Sequence, residues 1–248
     1  MSRKVFILNH GSCSSHSIVN SVSRFTNEYN FSNDLSIITN YTHLILPGVG
    51  QFGAVSAKLQ EINAFQHLKK HIQESKPILG ICFGHQIIAK CLGGFVEKNS
   101  LGWELGSYNL KLTSAGSESK LFIQFNNNDI VYESHQDVVS KLPPGSIELA
   151  YTSKGNQSFK HGKNIYGVQF HPEFSYEVTR KLMDLRLERG IQIDSNEFGK
   201  TLKEVLAEAP DSFDPVMGLS IDCYGPFLPR GMEKRKFPLV FWASDHDY

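Results

Sequence analysis

Cys82 lies in Gly80-Ile81-Cys82-Phe83-Gly84, a thiol with a glycine two residues away on either side. The apolar run before it, 78–81, reads as a buried strand, and 87–92 reads as a helix that follows at once. Gly-x-Cys-x-Gly between a strand and a helix is the spacing of a nucleophile elbow, where small neighbours are needed because the turn brings two backbones together. Such a turn lifts the sulfur out of the sheet and points a helix N-terminus at it, which favours thiolate. It also aims the Phe83 N–H at the place where an oxyanion would develop. A buried structural cysteine at a strand–helix junction would carry the same five residues, because free cysteine is often buried.

A second stretch, Tyr166-Gly167-Val168-Gln169-Phe170-His171-Pro172-Glu173, tips the balance toward chemistry. A strand-like run ends in His-Pro-Glu, and Pro172 is expected to keep the backbone extended, so that His171 and Glu173 leave on the same face. A thiol, an imidazole to take its proton and a carboxylate to orient the imidazole form a triad in the order Cys82, His171, Glu173. His135, in Glu133-Ser134-His135-Gln136-Asp137, is a weaker candidate for the base than His171, which has its carboxylate two residues away. His67 and His71 stand four apart, a spacing that can hold a metal, but with no acidic or cysteine cluster beside them a solvated helix face is expected and no metal is assigned. Neither a phosphate-binding Gly-x-x-x-x-Gly-Lys loop nor a dinucleotide-binding Gly-x-Gly-x-x-Gly occurs, so no cofactor is expected.

The elements that must position these groups alternate. Strands are expected at 5–8, 34–39, 43–46 and 78–81, with helices over 15–25 and about 52–75 between them. That rhythm predicts an α/β fold with an open, mostly parallel sheet flanked by helices, and a chemically active loop at a strand C-terminus. From Phe95 the texture changes to short strands at 108–112, 129–132, 147–152 and 164–170, with turn clusters such as 114–117 between them. These are expected to add antiparallel strands to the sheet edge. Helix is expected again at 176–189 and 195–208. Residues 209–248 carry five prolines and many aromatic residues, so 1–208 is taken as the domain and 209–248 as an extension that packs on the domain or docks on a partner.

With 248 residues, the chain is long enough for one large core, and 40% hydrophobic content is ordinary for a globular protein. Twenty-five basic and 25 acidic residues cancel, which removes any bulk attraction to nucleic acid or to an anionic membrane. No apolar run approaches a membrane span, and a strand follows the first four residues too soon for a signal peptide. Cys13, Cys82, Cys91 and Cys223 are scattered without a Cys-x-x-Cys pair, which predicts reduced thiols and a cytoplasmic setting.

Gly80 to Gln86 with the later Phe170-His171-Pro172-Glu173 resembles the class I, triad-type glutamine amidotransferases over roughly residues 3 to 190. The resemblance implies a flavodoxin-like core and hydrolysis of the glutamine side-chain amide through a cysteine thioester. It also implies an oxyanion hole from the Phe83 and Val49 amides, with Gly48 and Gly50 permitting the loop Pro47-Gly48-Val49-Gly50 to turn; as bare sequence that loop is only a turn. Gln86, one helical turn after Cys82, would hold the substrate glutamine, and Ser134, His135 and Gln136 would line its pocket. His85, next to Gln86 and turned away from it, is taken as structural.

Two halves of the chain resemble different members. Residues 8–12 and 46–53 look like the glutaminase subunit of imidazole glycerol phosphate synthase, whereas 80–86, 102–106, 134–137 and 142–145 look like the amidotransferase domain of GMP synthetase and its free-standing relatives. The implied activity is that of a glutaminase supplying ammonia to a synthase subunit. A γ-glutamyl peptidase with the same triad, and a non-catalytic regulatory or binding module, are the alternatives.

Overall fold

The structure is a computed structural model that describes residues 4–9, 16–24, 26–48, 64–174, 179 and 181. Val49, Gly50, most of the helices expected at 176–189 and 195–208, and the 209–248 extension lie outside the described residues.

Strand β1 (Val5–Leu8) leads through helix α1 (His16–Ser23) to β2 (Tyr29–Ser32). Then come β3 (His43–Leu46), helix α2 (Ala64–Gln73), β4 (Ile78–Ile81) and helix α3 (Phe83–Cys91). The strand expected at 34–39 is instead a 3-10 helix, Leu35–Asn40, and the strand beside β1 is β2. Local chemistry decides this: the Asp34 side chain accepts from the Ser36 N–H at 2.9 Å, capping a turn, and Leu35 and Ile38 are buried three residues apart.

The later half forms β5 (Phe95–Lys98), β6 (Glu104–Asn109), β7 (Lys111–Leu112), β8 (Ile130–His135) and β9 (Asp137–Lys141). It closes with β10 (Ser146–Thr152), β11 (Gly155–His161) and β12 (Ile165–Val168). The strand expected at 108–112 is really two, since β6 pairs with β8 while β7 pairs with β10. The expected turn at 114–117 is a one-turn helix capped by the Thr113 hydroxyl.

Among the described residues, eight strands make one sheet in the order β2-β1-β3-β4-β12-β11-β10-β7, parallel from β2 to β12 and antiparallel beyond. Edge addition therefore holds for β11, β10 and β7. The remaining four late strands form two separate pairs, β5–β9 and β6–β8.

Strand alternation divides the core into two layers. Val5, Ile7, Ile45 and Ile81 face α1 and the Phe122–Phe125 cluster, while Phe6, Leu8, Leu44 and Leu46 face α2 and α3. Each such buried side chain contributes roughly 1.5–3 kcal/mol relative to exposure. Helix α3 is buried from Phe83 through Ala89, so it carries few of the polar residues of an ordinary surface helix.

Such close packing of α3 on the sheet rests on glycine. A Cβ on Gly84 would run into the Leu46 carbonyl, and one on Gly80 would lie 2.5 Å from the Gly84 backbone. Gly84→Ala should therefore lower the unfolding free energy by about 2–3 kcal/mol, as overpacking does. Urea denaturation followed by circular dichroism measures it, and a loss under about 0.5 kcal/mol would mean that the helix shifts freely, contrary to this packing.

Candidate active site

Parallel pairing of β4 with β12 sets Ile81 opposite Val168, so the chain leaves both strands at the same edge of the sheet. The Cys82 N–H donates to the Val168 carbonyl at 2.7 Å, locking the turn to the neighbouring strand. Cys82 has φ 49° and ψ −104°, a conformation that L-residues rarely adopt and that costs of order 1–3 kcal/mol. Helix α3 begins at the next residue, with the thiol at its N-terminus.

His171 and Glu173 follow three and five residues after Val168. Their Nδ1 and Oε1 atoms lie 2.9 Å apart, and both residues are buried. The extended backbone expected at Pro172 is absent: the Phe174 N–H donates to the His171 carbonyl at 3.2 Å, and it is this turn that brings imidazole and carboxylate together. The Phe174 ring stacks on His171 with centroids 4.0 Å apart and planes 3° from parallel. The His171 N–H donates to the Tyr132 carbonyl at 2.9 Å, which ties the β6–β8 pair to the site.

The imidazole of His171 holds its proton up to about 10. Burial opposes the charge, but the charges of Cys82 and Glu173 outweigh it. Its Nε2 is buried, and the charge of Cys82 is the largest influence that favours the protonated ring. Thiol, imidazole and carboxylate thus share one buried edge, an arrangement competent for nucleophilic attack with proton transfer.

Gly48 presses against the elbow: a Cβ there would meet the Ile81 carbonyl and the Phe83 nitrogen, and would come within 2.6 Å of Cys82 Cβ. Gly48 therefore lies against the elbow, while Val49 and Gly50 fall outside the described residues.

Gln86 is buried on α3, and its Nε2 donates to the Asp137 carbonyl at 2.8 Å and to Gln169 Oε1 at 3.1 Å. Ser134 and Gln136 are partly buried at the end of β8, and the Gln136 carbonyl accepts from the Asn99 N–H. His135 is occupied by the protein itself. Its Nδ1 donates to the Asp137 carbonyl at 3.0 Å, and its Nε2 stands 3.0 Å from Glu133 Oε2 and 3.2 Å from Glu104 Oε2. Burial opposes its charge, but the two carboxylates hold it well above the ordinary imidazole value. Burial pushes Glu133 up to about 7, with His135 opposing.

Two further histidines are structural. His85 is fully buried against Phe159, and burial pushes it down to about 3. His71 is not on a solvated helix face as expected; it is buried, and burial pushes it down to about 4.

Sequence reasoning missed Glu104, Glu133 and Gln169. All three left a signal in strand alternation: Gln169 is two residues before His171, Glu133 is two before His135, and Glu104 lies directly opposite His135 in the β6–β8 register.

The family model for glutamine amidotransferase class-I matches residues 7–186. A probable glutamine-hydrolyzing GMP synthase of Leptospira interrogans is 30% identical over 77% of this chain, which spans only 31% of that protein. The chain thus spans less than a third of the length of the GMP synthases it first matches. Imidazole glycerol phosphate synthase subunit HisH 2 of Methanococcus maripaludis is 28% identical over 73% of this chain and 96% of its own length. Gamma-glutamyl peptidase 5 of Arabidopsis thaliana is 35% identical over 44% of this chain and 45% of that protein. In fold, the crystal structure of a glutamine amidotransferase from Thermotoga maritima superposes with a TM-score of 0.61 at 21% identity, covering 77% of this chain and 87% of the other. An elbow cysteine beside a buried His–Glu pair on a mostly parallel sheet, with a family match across most of its length, makes the chain a member of the class I glutamine amidotransferase family.

Proposed function

We propose that this chain is a glutaminase that hydrolyses the glutamine side-chain amide with Cys82 as nucleophile, His171 as acid and base, and Glu173 as the group that orients His171. The observation that carries the reading is the elbow thiol neighbouring an imidazole whose other nitrogen lies 2.9 Å from a buried carboxylate.

The thiolate attacks the amide carbon and forms a tetrahedral adduct. The Phe83 N–H, together with a donor from the loop after Gly48, for which Val49 is the candidate, stabilises its oxyanion. His171 donates its proton to the leaving nitrogen, ammonia departs, and a γ-glutamyl thioester remains on Cys82. Water, activated by the now neutral His171, then attacks the thioester and releases glutamate and the thiol. Glu173 keeps Nδ1 protonated, so Nε2 faces the reaction throughout. Gln86 lies one turn along α3 from the nucleophile and, with Ser134 and Gln136 at the end of β8, borders the glutamine pocket.

The ammonia acceptor is proposed to be a separate synthase subunit. The likeness to a synthase subunit across nearly all of that subunit's length supports this. Among the described residues no helix is long and apolar enough to cross a membrane. A working thiol fits a reducing compartment, and the cytoplasm is the proposed location.

The second reading, a γ-glutamyl peptidase, is favoured by the likeness to gamma-glutamyl peptidase 5. The two share the thioester and differ in the leaving group, an amino acid or peptide in place of ammonia. Comparing kcat/KM of the isolated chain for glutamine and for γ-glutamyl dipeptides separates them. Glutamine should be preferred by at least about tenfold, and strong dipeptide turnover with idle glutamine would reverse the assignment.

Cys82→Ala should reduce glutamine hydrolysis by roughly 10⁴-fold or more, as loss of a covalent nucleophile does. A glutamine-mimicking diazoketone should label Cys82 far faster than Cys13, Cys91 or Cys223. Burial raises the Cys91 thiol to about 12, which makes it the natural internal control. Equal labelling of all four cysteines by mass spectrometry would sink the elbow assignment.

The pH dependence follows from His171. The imidazolium donates the proton to the leaving nitrogen, so activity is lost as pH rises through the value at which His171 deprotonates, about 10 rather than the ordinary imidazole range. Glu173 favours the charged form, so Glu173→Gln should move the alkaline limb of kcat/KM downward by at least about one unit. An alkaline limb that stays put in that variant would remove Glu173 from the mechanism.

A further inference from the structure

Gln86 and His135 meet at one atom. The Asp137 carbonyl accepts from Gln86 Nε2 at 2.8 Å and from His135 Nδ1 at 3.0 Å. A carbonyl oxygen has two lone pairs and can only accept, so both of its positions are filled and both donors are fixed in identity. The amide of Gln86 must therefore turn its nitrogen, not its oxygen, toward Asp137. Its second N–H goes to Gln169 Oε1 at 3.1 Å. With both hydrogens committed, Gln86 has its Oε1 left to offer, and among the described residues nothing donates to that oxygen.

His135 is in turn held from behind. Its Nε2 sits between Glu133 and Glu104, and Glu104 is itself anchored by the Thr152 hydroxyl and by Gln157 Nε2 at 2.9 Å. Two fully buried carboxylates on one face of the β6–β8 pair would be costly without a cation between them. Their charges favour the protonated ring, in which Nδ1 carries a hydrogen toward Asp137.

We propose that His135, clamped between Glu104 and Glu133, is a positioning residue for substrate recognition: through the shared Asp137 carbonyl it fixes Gln86 so that its Oε1 faces the pocket as an acceptor for an N–H of the substrate. The α-ammonium of glutamine carries such donors, and a glutamine-mimicking diazoketone shares that group. A substrate carboxylate is refused at this position because it would face an acceptor. The inference rests on the reading of Gln86 as a glutamine-contacting residue. His135 itself touches no substrate atom in this scheme.

Two conservative variants separate positioning from mere structural support, because each keeps one of the two ring nitrogens. His135→Asn retains a donor near the Nδ1 position and loses the one between the carboxylates. His135→Gln does the reverse. The probe is the glutamine-mimicking diazoketone, with its inhibition constant KI and maximal inactivation rate read at Cys82, and with iodoacetamide as a control that carries no amino-acid group. His135→Gln should raise KI about tenfold with the maximal rate changed less than about threefold, His135→Asn should stay within about threefold of wild type, and iodoacetamide reactivity should be unchanged. In a Gln86→Met background, His135→Gln should add less than about twofold, because both changes remove the same contact.

A structural role alone predicts the opposite order, with His135→Asn the worse variant. That order, an unmoved KI in His135→Gln, or multiplying effects in the double variant would overturn the proposal while leaving the glutaminase reading intact. If His135→Asn does not fold, the His135→Gln and Gln86→Met cycle decides. A wild-type chain whose Cys82 shows no saturable reaction with the diazoketone would overturn the glutaminase reading and this inference together.

Discussion

The parallel pairing of β4 with β12 is the constraint on which the candidate site depends. Cys82 and His171 belong to parts of the chain separated by the whole β5–β11 region, yet the Ile81–Val168 register delivers both to one edge of the sheet. The bond from the Cys82 N–H to the Val168 carbonyl extends that register by one residue into the elbow. A slip of one residue would send every β12 side chain to the opposite face. Val168 and Ile165 would then leave the two core layers they now fill, so the apolar core resists a change that would separate thiol from imidazole.

The elbow makes its own demands on its surroundings. A cysteine at φ 49° is strained, and the strain persists because the neighbours over-determine it. Gly80 and Gly84 allow α3 to lie directly on the sheet, and Gly48 lets the chain just after β3 lie against the turn. Three glycines, from one strand, one loop and one helix, thus serve one side chain. Each is a place where a methyl group would have to displace backbone rather than a flexible side chain, which is why the strain cannot relax locally.

Much of this was legible in the sequence, and the parts that were not have physical reasons. The β1, β3 and β4 strands are short continuous apolar runs, the signature of strands covered on both faces, and they lie where expected. The stretch 34–39 misled because Leu35, Ile37, Ile38 and Thr39 suit a strand, whereas Asp34 at its start caps a turn. The late strands were harder: β5 alternates weakly and is largely exposed, while β9 pairs with β5 some forty residues earlier. At the site, the pairing of His171 with Glu173 was readable from their spacing, but the turn that joins them was not, since Pro172 is compatible with both extended and turn backbone. Gln86 was singled out by its motif, while its orientation depends on a carbonyl 51 residues away that no local pattern reveals.

Two buried histidines share this region, and their carboxylates divide the labour between them. His171 has one carboxylate on Nδ1 and a thiol beside its other nitrogen, so its charge is balanced by a group that, in the proposed mechanism, changes during the reaction. His135 has two carboxylates at one nitrogen and a carbonyl at the other, so nothing near it is consumed or released by the chemistry. The first arrangement allows a proton to leave and return; the second holds a cation in place. Glu133 lies close enough to His171 to act on it electrostatically, which joins the fixed cluster to the reacting one without a hydrogen bond between them. The distinction between base and support therefore comes from the symmetry of the surroundings rather than from burial, which both histidines share.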